Sequence, residues 1–537
     1  MECHCLGPAE TPHTTKLYAT FLEDFGRLTE FYAHPPDEEG LLRAARAVPQ
    51  DAEKRRAVAE LLREQNRTLG ADGETESNIA RLAAGAVAVV TGQQVGLFTG
   101  PAYSIYKALT ALRIAQQLTE RGTDAVPVFW LAAEDHDLAE VNHCEWPGRE
   151  GLARLEISPA DAAGKARSVG RVQLGEGIIP LVERAAAQLE GPMAKEIGAT
   201  LAASYRPAET FGTAFGKLLA RLFAGKGIIL LDSLDARWHR LAGSVYRRAL
   251  ADNDNLIAAL LARSKQLDRA GYHAQVKVTE RSTLLFLDVE GERLPVRRRN
   301  NGFAAGSKEF SPKALLVAAE ESPERFSANV LLRPIIQDYL LPTAGYVGGP
   351  AEVAYFAQAE VAYRRLLGRM PAILPRAGFT LVEPHVARLL KKYRLELRDV
   401  FRGRQHLRGR LEREYLSKEL ARQFSGGEKA VRQLLKSLRS PLGKLDKTLI
   451  GALDTAEQKM LYQFLRLRNK AGRAQNFRTG VLDTHERILT EALYPHHGLQ
   501  ERTLCFLPFL ARHGAALLDE LGARASLDAS QHQVLYL

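Results

Sequence analysis

The stretch Ala86-Val-Ala-Val-Val-Thr-Gly-Gln-Gln-Val-Gly-Leu-Phe-Thr-Gly-Pro101 begins as an apolar run and ends in a loop with three glycines. A helical pattern follows over residues 102–117, and a second apolar run, Val126-Pro-Val-Phe-Trp-Leu131, follows the helix. This order of strand, glycine-rich turn, helix and strand is typical of parallel sheets whose strands are joined by helices. The stretch therefore predicts an α/β fold with a parallel sheet.

The glycine-rich turn has features of an anion-binding site. Gly92, Gly96 and Gly100 can adopt positive φ and let a ligand approach the backbone closely. A helix that starts after Pro101 offers free N–H groups and the positive end of its dipole, which suits a phosphate or a carboxylate. The candidate binding residues here are Thr91, Gln93, Gln94, Thr99, Gly100 and Tyr103, and Lys107 is either a further ligand or a solvated side chain. The alternative is an ordinary tight connection.

Four polar residues, Glu134-Asp-His-Asp137, follow the second strand, at the carboxyl end where open α/β sheets bind ligands. Carboxylates there can bind an ammonium group or Mg²⁺. The imidazole of His136 is the natural general base because its unperturbed pKa lies near neutrality, and its alternative role is a hydrogen-bonded strut. The predicted catalytic residues are Glu134, Asp135, His136 and Asp137, and further candidate binding residues are Asn142, His143 and Asp232, the last of which follows an apolar strand at 227–231.

A second glycine-rich loop, Leu341-Pro-Thr-Ala-Gly-Tyr-Val-Gly-Gly-Pro350, precedes a helical pattern over residues 353–367. The same argument about free N–H groups at a helix start applies to it, although Gly-Gly-Pro is also ordinary turn chemistry. The candidate binding residues in this region are Arg333, Gln337, Asp338, Tyr346, Gly348, Gly349 and Glu352. We expect Thr91, Glu134, Asp232 and Gly348 to converge on one edge of the sheet.

The pattern along the chain divides it into three regions. Residues 1–382 are predicted to form the core, with insertions at about 144–205 and 240–325. Within the insertions, the pattern predicts strands at 171–174 and 275–278 and one helix at 241–267. Residues 383–475 carry leucines at helical spacing and predict an antiparallel coiled-coil arm, with a break at Gly426-Gly427. Residues 476–537 predict a C-terminal helical segment that returns to the core.

Composition limits the functional classes. The 537 residues carry a formal net charge of +10, lack a long uncharged apolar run, and include four cysteines, which together favour a cytoplasmic protein without disulfides. Much of the basic excess lies in the predicted arm, which makes a nucleic-acid partner less favoured than anionic small molecules. Cys3-His-Cys5 and His496-His497 lack further ligands at metal-site spacing, so no metal site is predicted.

Several motifs resemble those of the cysteine ligase family of bacillithiol biosynthesis, and they cover essentially the whole chain in the same order. They are residues 91–107, Pro127-Val-Phe-Trp130 with residues 134–137, Glu140-Val-Asn-His143, Leu332-Arg-Pro334 with Gln337-Asp338, residues 342–350 with Glu352, and Leu493-Tyr-Pro495 with Gln500-Glu-Arg502. The resemblance implies a Rossmann-like, nucleotidyltransferase-like core with two connecting insertions, and a coiled-coil arm through which family members form homodimers.

The resemblance also implies a reaction, the addition of L-cysteine to glucosaminyl malate in the last step to bacillithiol. Amide formation in water needs an activated carboxyl, so ATP or a related nucleotide is the implied cosubstrate, with Mg²⁺ as a candidate ion. Nucleotidyltransferases of this fold carry His-x-Gly-His at the first turn. The equivalent Phe98-Thr-Gly-Pro101 lacks both histidines, which leaves the adenylate route open to question.

Two other classes of function remain open from the residues. One is a metal-dependent hydrolase that uses Asp135, His136, Asp137 and His143, which stoichiometric zinc would favour. The other is a non-catalytic nucleotide-binding or RNA-binding scaffold that acts through its arm, which tight RNA binding with a steep salt dependence would favour.

Overall fold

The computed structural model describes residues 2–158, 167–415, 418–527 and 531–537. The chain forms two compact units. The smaller unit comprises Met1–Cys3, Thr380–Gln500 and Leu535–Leu537, and the larger comprises His4–Phe379 and Glu501–Val534. The C-terminal segment is thus shared, because residues 476–500 belong with the smaller unit and most of the rest belongs with the larger.

The chain begins with a strand that the sequence did not predict, followed by the expected helices. These elements are β1 (Glu2–Leu6), α1 (Lys16–Glu23), α2 (Glu38–Arg46), α3 (Ala52–Leu69) and α4 (Gly73–Ala84). Asp37, Asp51 and Asp72 each cap the helix that follows by accepting a backbone N–H. The left-handed Gly70 ends α3.

The central unit predicted from the sequence is present as β2 (Val87–Gln94), α5 (Tyr103–Glu120) and β3 (Ala125–Ala132). The first six residues of β2 are buried, as expected for a strand covered on both faces. The strand extends through Gln93 and Gln94, which the sequence placed in the loop. Both amides therefore occupy the carboxyl end of a strand.

The first insertion combines a hairpin with helices, and the chain then returns to the sheet. Its elements are α6 (Leu138–Val141), β4 (His143–Gly148), β5 (Gly151–Glu156), α7 (Ile178–Ala187) and α8 (Ala194–Ser204), followed by α9 (Phe211–Leu222) and β6 (Ile229–Asp232). The prediction of a strand at 171–174 is wrong, because Val169–Arg171 form a 3₁₀ turn and Gln173 makes an isolated bridge to Thr210.

The second insertion is built around an antiparallel sheet. Its elements are α10 (Ala236–Ala251), α11 (Asn253–Arg269), β7 (Ser282–Val289), β8 (Glu292–Arg299), β9 (Gly302–Ala305), β10 (Lys308–Phe310), α12 (Pro312–Glu321) and β11 (Phe326–Ala328). The strand order is β10-β9-β8-β7-β11. The single helix predicted over 241–267 is two helices, and the strand predicted at 275–278 is wrong.

The second glycine-rich stretch is mostly a strand, which corrects its prediction as a loop. The elements here are α13 (Arg333–Leu340), β12 (Thr343–Gly348), α14 (Pro350–Leu366), β13 (Ala372–Pro375) and β14 (Gly378–Val382). Gly345 lies opposite the side chains of Leu41 and Leu374, where a Cβ would come within 3.0 Å of both. Close packing, rather than turn formation, therefore accounts for this glycine.

The five central strands lie in the order β13-β12-β2-β3-β6, and all neighbouring pairs are parallel. Their carboxyl ends therefore share one edge, which confirms the predicted parallel sheet. That edge is where ligands bind in open α/β folds.

The smaller unit is helical. It contains α15 (Pro384–Lys392), α16 (Leu397–Phe401), α17 (Arg404–Glu414), α18 (Lys418–Leu445), α19 (Leu449–Thr479) and α20 (Val481–Leu493). Helices α18 and α19 pair along their length, as the Arg439–Asp454 and Arg432–Glu457 ion pairs show. The predicted break at Gly426-Gly427 is wrong. A Cβ at Gly427 would lie 2.6 Å from the ring of Phe464, so the glycine provides room for the partner helix.

The chain ends with α21 (Gln500–Thr503), α22 (Leu507–His513), α23 (Ala516–Arg524) and β15 (His532–Tyr536). Among the described residues, no helix combines the length and the apolar character that a membrane span requires. The four cysteines are free thiols.

Candidate functional site

A cavity of about 650 Å³ opens at the carboxyl edge of the central sheet, within the larger unit. Its wall combines strand ends, the starts of α5 and α14, and residues of the second insertion. The predicted site residues in this wall are Gln93, Gln94, Tyr103, Lys107, Glu134, Asp135, His136, Arg333, Tyr346, Gly349 and Glu352. The two halves of the sheet thus contribute to one cavity.

Other predicted site residues lie outside this wall. They are Thr91, Thr99, Gly100, Asp137, Asn142, His143, Asp232, Gln337, Asp338 and Gly348. Of the four residues expected to converge, Thr91, Asp232 and Gly348 lie at the correct edge of the sheet, and Glu134 reaches the cavity. The hydroxyl of Thr91 instead donates to the carbonyl of Val347 at 2.8 Å and joins β2 to β12.

The turn at residues 97–101 is enclosed by other parts of the chain, so it is not the open anion cradle that the sequence predicts. The N–H of Phe98 donates to the hydroxyl of Tyr205 at 2.8 Å, and the N–H of Ala102 donates to the carbonyl of Leu504 at 2.8 Å. Phe98 and Thr99 both have positive φ and are buried. Glycine spacing alone could not reveal these covering segments.

Several acids and amides outside the wall have structural hydrogen bonds. Asp137 caps α6, and the amide of Asn142 donates to the carbonyl of Ile157 at 3.0 Å. Gln337 donates to the carboxylate of Asp338 at 2.9 Å and accepts from Arg333 at 3.2 Å. Gln337 therefore supports a residue of the wall without lining it.

A buried ion pair between Lys107 and Glu352 links the two glycine-rich segments. The Nζ of Lys107 also donates to the carbonyl of Gly92 at 2.8 Å, and Glu352 accepts from the N–H of Gly349 and the hydroxyl of Tyr346 at 2.8 and 2.7 Å. Burial raises the pKa of Glu352, but Lys107 and these donors more than offset it, so the net shift is downward. Glu352 is therefore an anion at the start of α14, held inside the protein.

Arg333 presents a positive charge to the cavity through neutral partners. Its Nη2 donates to the hydroxyls of Tyr355 and Tyr346 at 2.9 and 3.3 Å, and its guanidinium carbon lies 5.8 Å from the ring centre of Trp130. Burial raises the pKa of Tyr355 to about 12, so its hydroxyl stays protonated and neutral. Arg333 is thus suited to bind a carboxylate or a phosphate.

Glu134 is a nearly buried acid whose partner the sequence did not reveal. The Oε1 of Glu134 lies 3.4 Å from Nε2 of His239, and Nδ1 of His239 lies 2.8 Å from the hydroxyl of Tyr246. Burial raises the pKa of Glu134, and the nearby His239 and Arg293 act in the opposite direction. No motif marked His239, which follows Trp238 on an amphipathic helix.

His136 and Asp135 occupy the more exposed side of the cavity. The side chain of His136 is 45% exposed, and its Nδ1 lies 3.6 Å from Oδ1 of Asp135. The amide of Gln94 donates to Oδ2 of Asp135 at 2.7 Å and to Glu140 at 3.1 Å. His136 can therefore reach a ligand, and it lies beside a carboxylate that Gln94 holds in place.

Sequence reasoning missed the arginines that later segments add to the wall. Arg293 comes from β8, and its guanidinium carbon lies 3.6 Å from the ring centre of Phe286. Arg376 follows β13, and Arg502 lies 5.7 Å from the ring centre of Tyr103. The quoted motif Gln500-Glu-Arg502 was the available signal for Arg502. The cavity therefore mixes cations with acids and suits ligands that carry both charges.

The hydrolase alternative needs a cluster of metal ligands. Across residues 2–158, 167–415, 418–527 and 531–537, no group of three or more His, Cys, Asp or Glu side chains is arranged to hold a metal ion. His143 pairs instead with Asn142 at 3.3 Å and lies outside the cavity wall. The four residues proposed for a hydrolase are thus not assembled as its metal centre.

Comparison with known proteins covers the whole chain. Residues 1–377 match the family model described as Bacillithiol biosynthesis BshC, N-terminal Rossmann-like domain, and residues 379–537 match that of the C-terminal coiled-coil domain. The chain is 43% identical to a protein of Koribacter versatilis over 99% of each chain, and 38% identical to one of Solibacter usitatus over 100% of each. Both relatives are named "Putative cysteine ligase BshC".

Proposed function

We propose, because the chain belongs to the BshC family of bacillithiol biosynthesis, that it is a ligase that joins L-cysteine to glucosaminyl malate. The observation that carries this proposal is the wall of the first cavity, where arginines face acids and a histidine at the carboxyl edge of the sheet. Such a wall suits substrates that bring both an amine and carboxylates.

The charges of the two substrates match the two sides of the cavity. Glucosaminyl malate carries an amine and two carboxylates, and cysteine carries an ammonium and a carboxylate. We assign the carboxylate groups to Arg333 and Arg293, and the amine of glucosaminyl malate to Glu134 and Asp135. This assignment brings the amine next to His136.

The bond-forming step needs a base and a leaving group. ATP or a related nucleotide supplies the leaving group by activating the carboxyl of cysteine. The amine nitrogen then attacks the carboxyl carbon, the C–N bond forms, and the phosphate or AMP departs with the electrons of the broken C–O bond. The imidazole of His136 accepts the proton released by the amine.

The side chains of the wall fit a nucleotide phosphate, although the loop at 98–101 does not contribute. Lys107 is paired with Glu352, Arg376 is paired with Glu501, and Arg333 and Arg293 are assigned to the substrate carboxylates, so we assign a phosphate of the nucleotide to Arg502. Where Mg²⁺ accompanies the nucleotide, Glu140 offers a carboxylate oxygen in the same wall.

The direct test is reconstitution with the full chain, L-cysteine, glucosaminyl malate and ATP, with the product identified by mass spectrometry. We expect the amide product, with ADP or AMP formed in equal amount. A reaction that yields no amide with any nucleoside triphosphate contradicts the proposal. Tight RNA binding that weakens steeply with salt would instead favour a scaffold.

A further inference from the structure

A second, smaller cavity of about 210 Å³ lies at the opposite end of the central sheet. The Nη1 of Arg55 donates to the carbonyl of Ala86 at 2.8 Å, directly before β2, and Nη1 of Arg369 donates to the carbonyl of Thr343 at 3.0 Å, where β12 begins. Both contacts are at the amino ends of strands. We call this space the arginine cavity, with Lys54, Arg55, Arg248, Tyr339 and Arg369 in its wall.

The arginines of this cavity have carbonyl partners in place of carboxylates. Arg55 bonds to the carbonyls of Leu82 and Ala86, Arg248 to that of Leu366, and Arg369 to those of Thr343 and Asp338. Within the described part of the chain, no carboxylate lies within 4.0 Å of any of these three guanidinium groups. None of the three guanidinium groups therefore has a carboxylate at contact distance.

The two acids in the wall already have partners, and for Asp51 that partner is Lys54 of the same wall. Asp51 caps α3 and lies 3.3 Å from Nζ of Lys54, and the carboxylate of Asp338 accepts from Gln337 and from the hydroxyl of Tyr363. The cavity consequently keeps an excess of positive charge.

Arg55 provides an independent sign that the cavity takes a hydrogen-bond acceptor. It is 5% exposed, and its Nε and Nη2 are both buried without a hydrogen-bond partner. Folded proteins satisfy nearly all buried donors, and leaving one unpaired costs about 1–3 kcal/mol, more for a charged group. An oxyanion in the cavity would supply the missing acceptors and the missing negative charge.

We propose that the arginine cavity is a second binding site that takes a phosphate group, with Arg55, Arg369 and Lys54 as its main cationic ligands. Tyr339 forms part of its wall, with Nζ of Lys54 lying 3.9 Å from the ring centre. The group is either free inorganic phosphate or the terminal phosphate of a larger ligand that extends outside. The site is separate from the first cavity and does not depend on the proposed reaction.

Isothermal titration of the full chain with inorganic phosphate, at constant ionic strength set with chloride, tests the site. We expect Lys54→Gln and Arg369→Gln each to weaken phosphate binding at least tenfold. The matched control is Arg56→Gln, which removes an exposed charge from the same helix and should leave the affinity unchanged. Arg502→Gln, which removes the cation that we assign to a phosphate in the first cavity, should leave the binding event that Arg369→Gln weakens intact.

A parallel titration with ADP distinguishes the two sources of the phosphate. Tighter binding of ADP that Arg369→Gln abolishes indicates a larger ligand, and binding of phosphate alone indicates the free ion. Melting curves show whether each variant is folded. They also report binding, because phosphate should raise the melting temperature of the wild type and not that of Arg55→Met. Failure of the wild type to bind either phosphate or ADP at millimolar concentration overturns the proposal. Lys54→Gln and Arg369→Gln variants that both bind phosphate as tightly as the wild type also overturn it.

Discussion

Nη1 of Arg376 donates to Oε2 of Glu501 at 2.9 Å, and Nη2 of Arg376 donates to Oε1 at 2.5 Å. Both side chains are 4% exposed, and the N–H of Phe379 donates to the same carboxylate at 2.9 Å. This bidentate pair holds the segment that carries Arg502 against the end of β13. One wall of the first cavity therefore depends on a contact between distant parts of the chain.

The first prediction concerns this pair. Glu501→Gln leaves Arg376 buried without its counter-ion and should reduce the free energy of unfolding by about 3–5 kcal/mol, measured by urea denaturation. Burial raises the pKa of Glu501, but Arg376 more than offsets it, so the folded pKa lies below the unfolded value.

The sign of the pH dependence follows from that shift. The stabilisation is present above the unfolded pKa, about 4.3, and is lost as pH falls through the folded pKa. The deficit of the variant should accordingly shrink in acid. Glu39→Gln, which breaks an exposed pair with Arg43, should cost less than about 1 kcal/mol. Equal losses in the two variants would contradict the structural role.

The second prediction tests the proposed base. His136→Ala should lower the rate of bacillithiol formation by roughly 10²-fold or more, because general-base catalysis typically contributes that much. Its melting temperature should change little, since the side chain is 45% exposed. The matched control is His143→Ala, which lies outside the wall. Full activity of the His136 variant would show that this residue is a strut.

The third prediction concerns Glu134. Glu134→Gln should raise KM for the amine substrate roughly 10- to 100-fold, since a charged hydrogen bond contributes about 1.5–3 kcal/mol. Asp137→Asn, outside the wall, is the control for a nearby loss of charge. If the variant has the same KM for the amine substrate as the wild type, Glu134 does not bind the amine.

Stability gives a separate readout of Glu134. Its folded pKa is raised by burial, so its contribution to stability is present below the unfolded pKa and is lost as pH rises through the folded value. The neutral glutamine escapes this loss. The stability of the variant relative to wild type should therefore increase between acid and neutral pH, and a difference that is independent of pH would contradict the raised pKa.

The fourth prediction concerns assembly. Leu434 and Leu438 on α18 are 59% and 40% exposed, and Tyr462 on α19 is 57% exposed. We expect this apolar surface to pair two chains. Leu434→Glu with Leu438→Glu should shift the mass measured by light scattering from dimer to monomer, whereas methionine at both positions should retain the dimer. A dimer that survives the glutamates would place the contact elsewhere.

Strong periodic signals predicted most of the fold. The β2-α5-β3 unit and the helices of the smaller unit followed from apolar spacing. By contrast, β12 is rich in glycine and was predicted to be a loop. Its pairing with β2 and β13 overrides the poor propensity of glycine for strands. Gly426 and Gly427 predicted a break, but α18 continues through them. Packing against the partner helix α19 offsets the flexibility of the two glycines.

The site was less accessible to prediction than the fold. Residues next to strand ends, such as Glu134 and Gln94, could be placed at the carboxyl edge by topology alone. Arg293 and His239 could not, because they come from an insertion and a helix whose packing is set by long-range contacts. Thr99 was predicted to bind a ligand, but Tyr205 and Leu504 cover its turn. These two residues are distant in sequence, so the local pattern does not reveal them.

The pairing of β2 with β12 also has a consequence for biosynthesis. The bonded residues Thr91 and Val347 are 256 positions apart. At about 5–20 residues per second, a ribosome needs roughly 13–50 s to deliver the second strand after the first. Throughout that interval one long edge of an apolar strand has no native neighbour, and such edges promote aggregation. The nascent chain should therefore be a client of ribosome-associated chaperones.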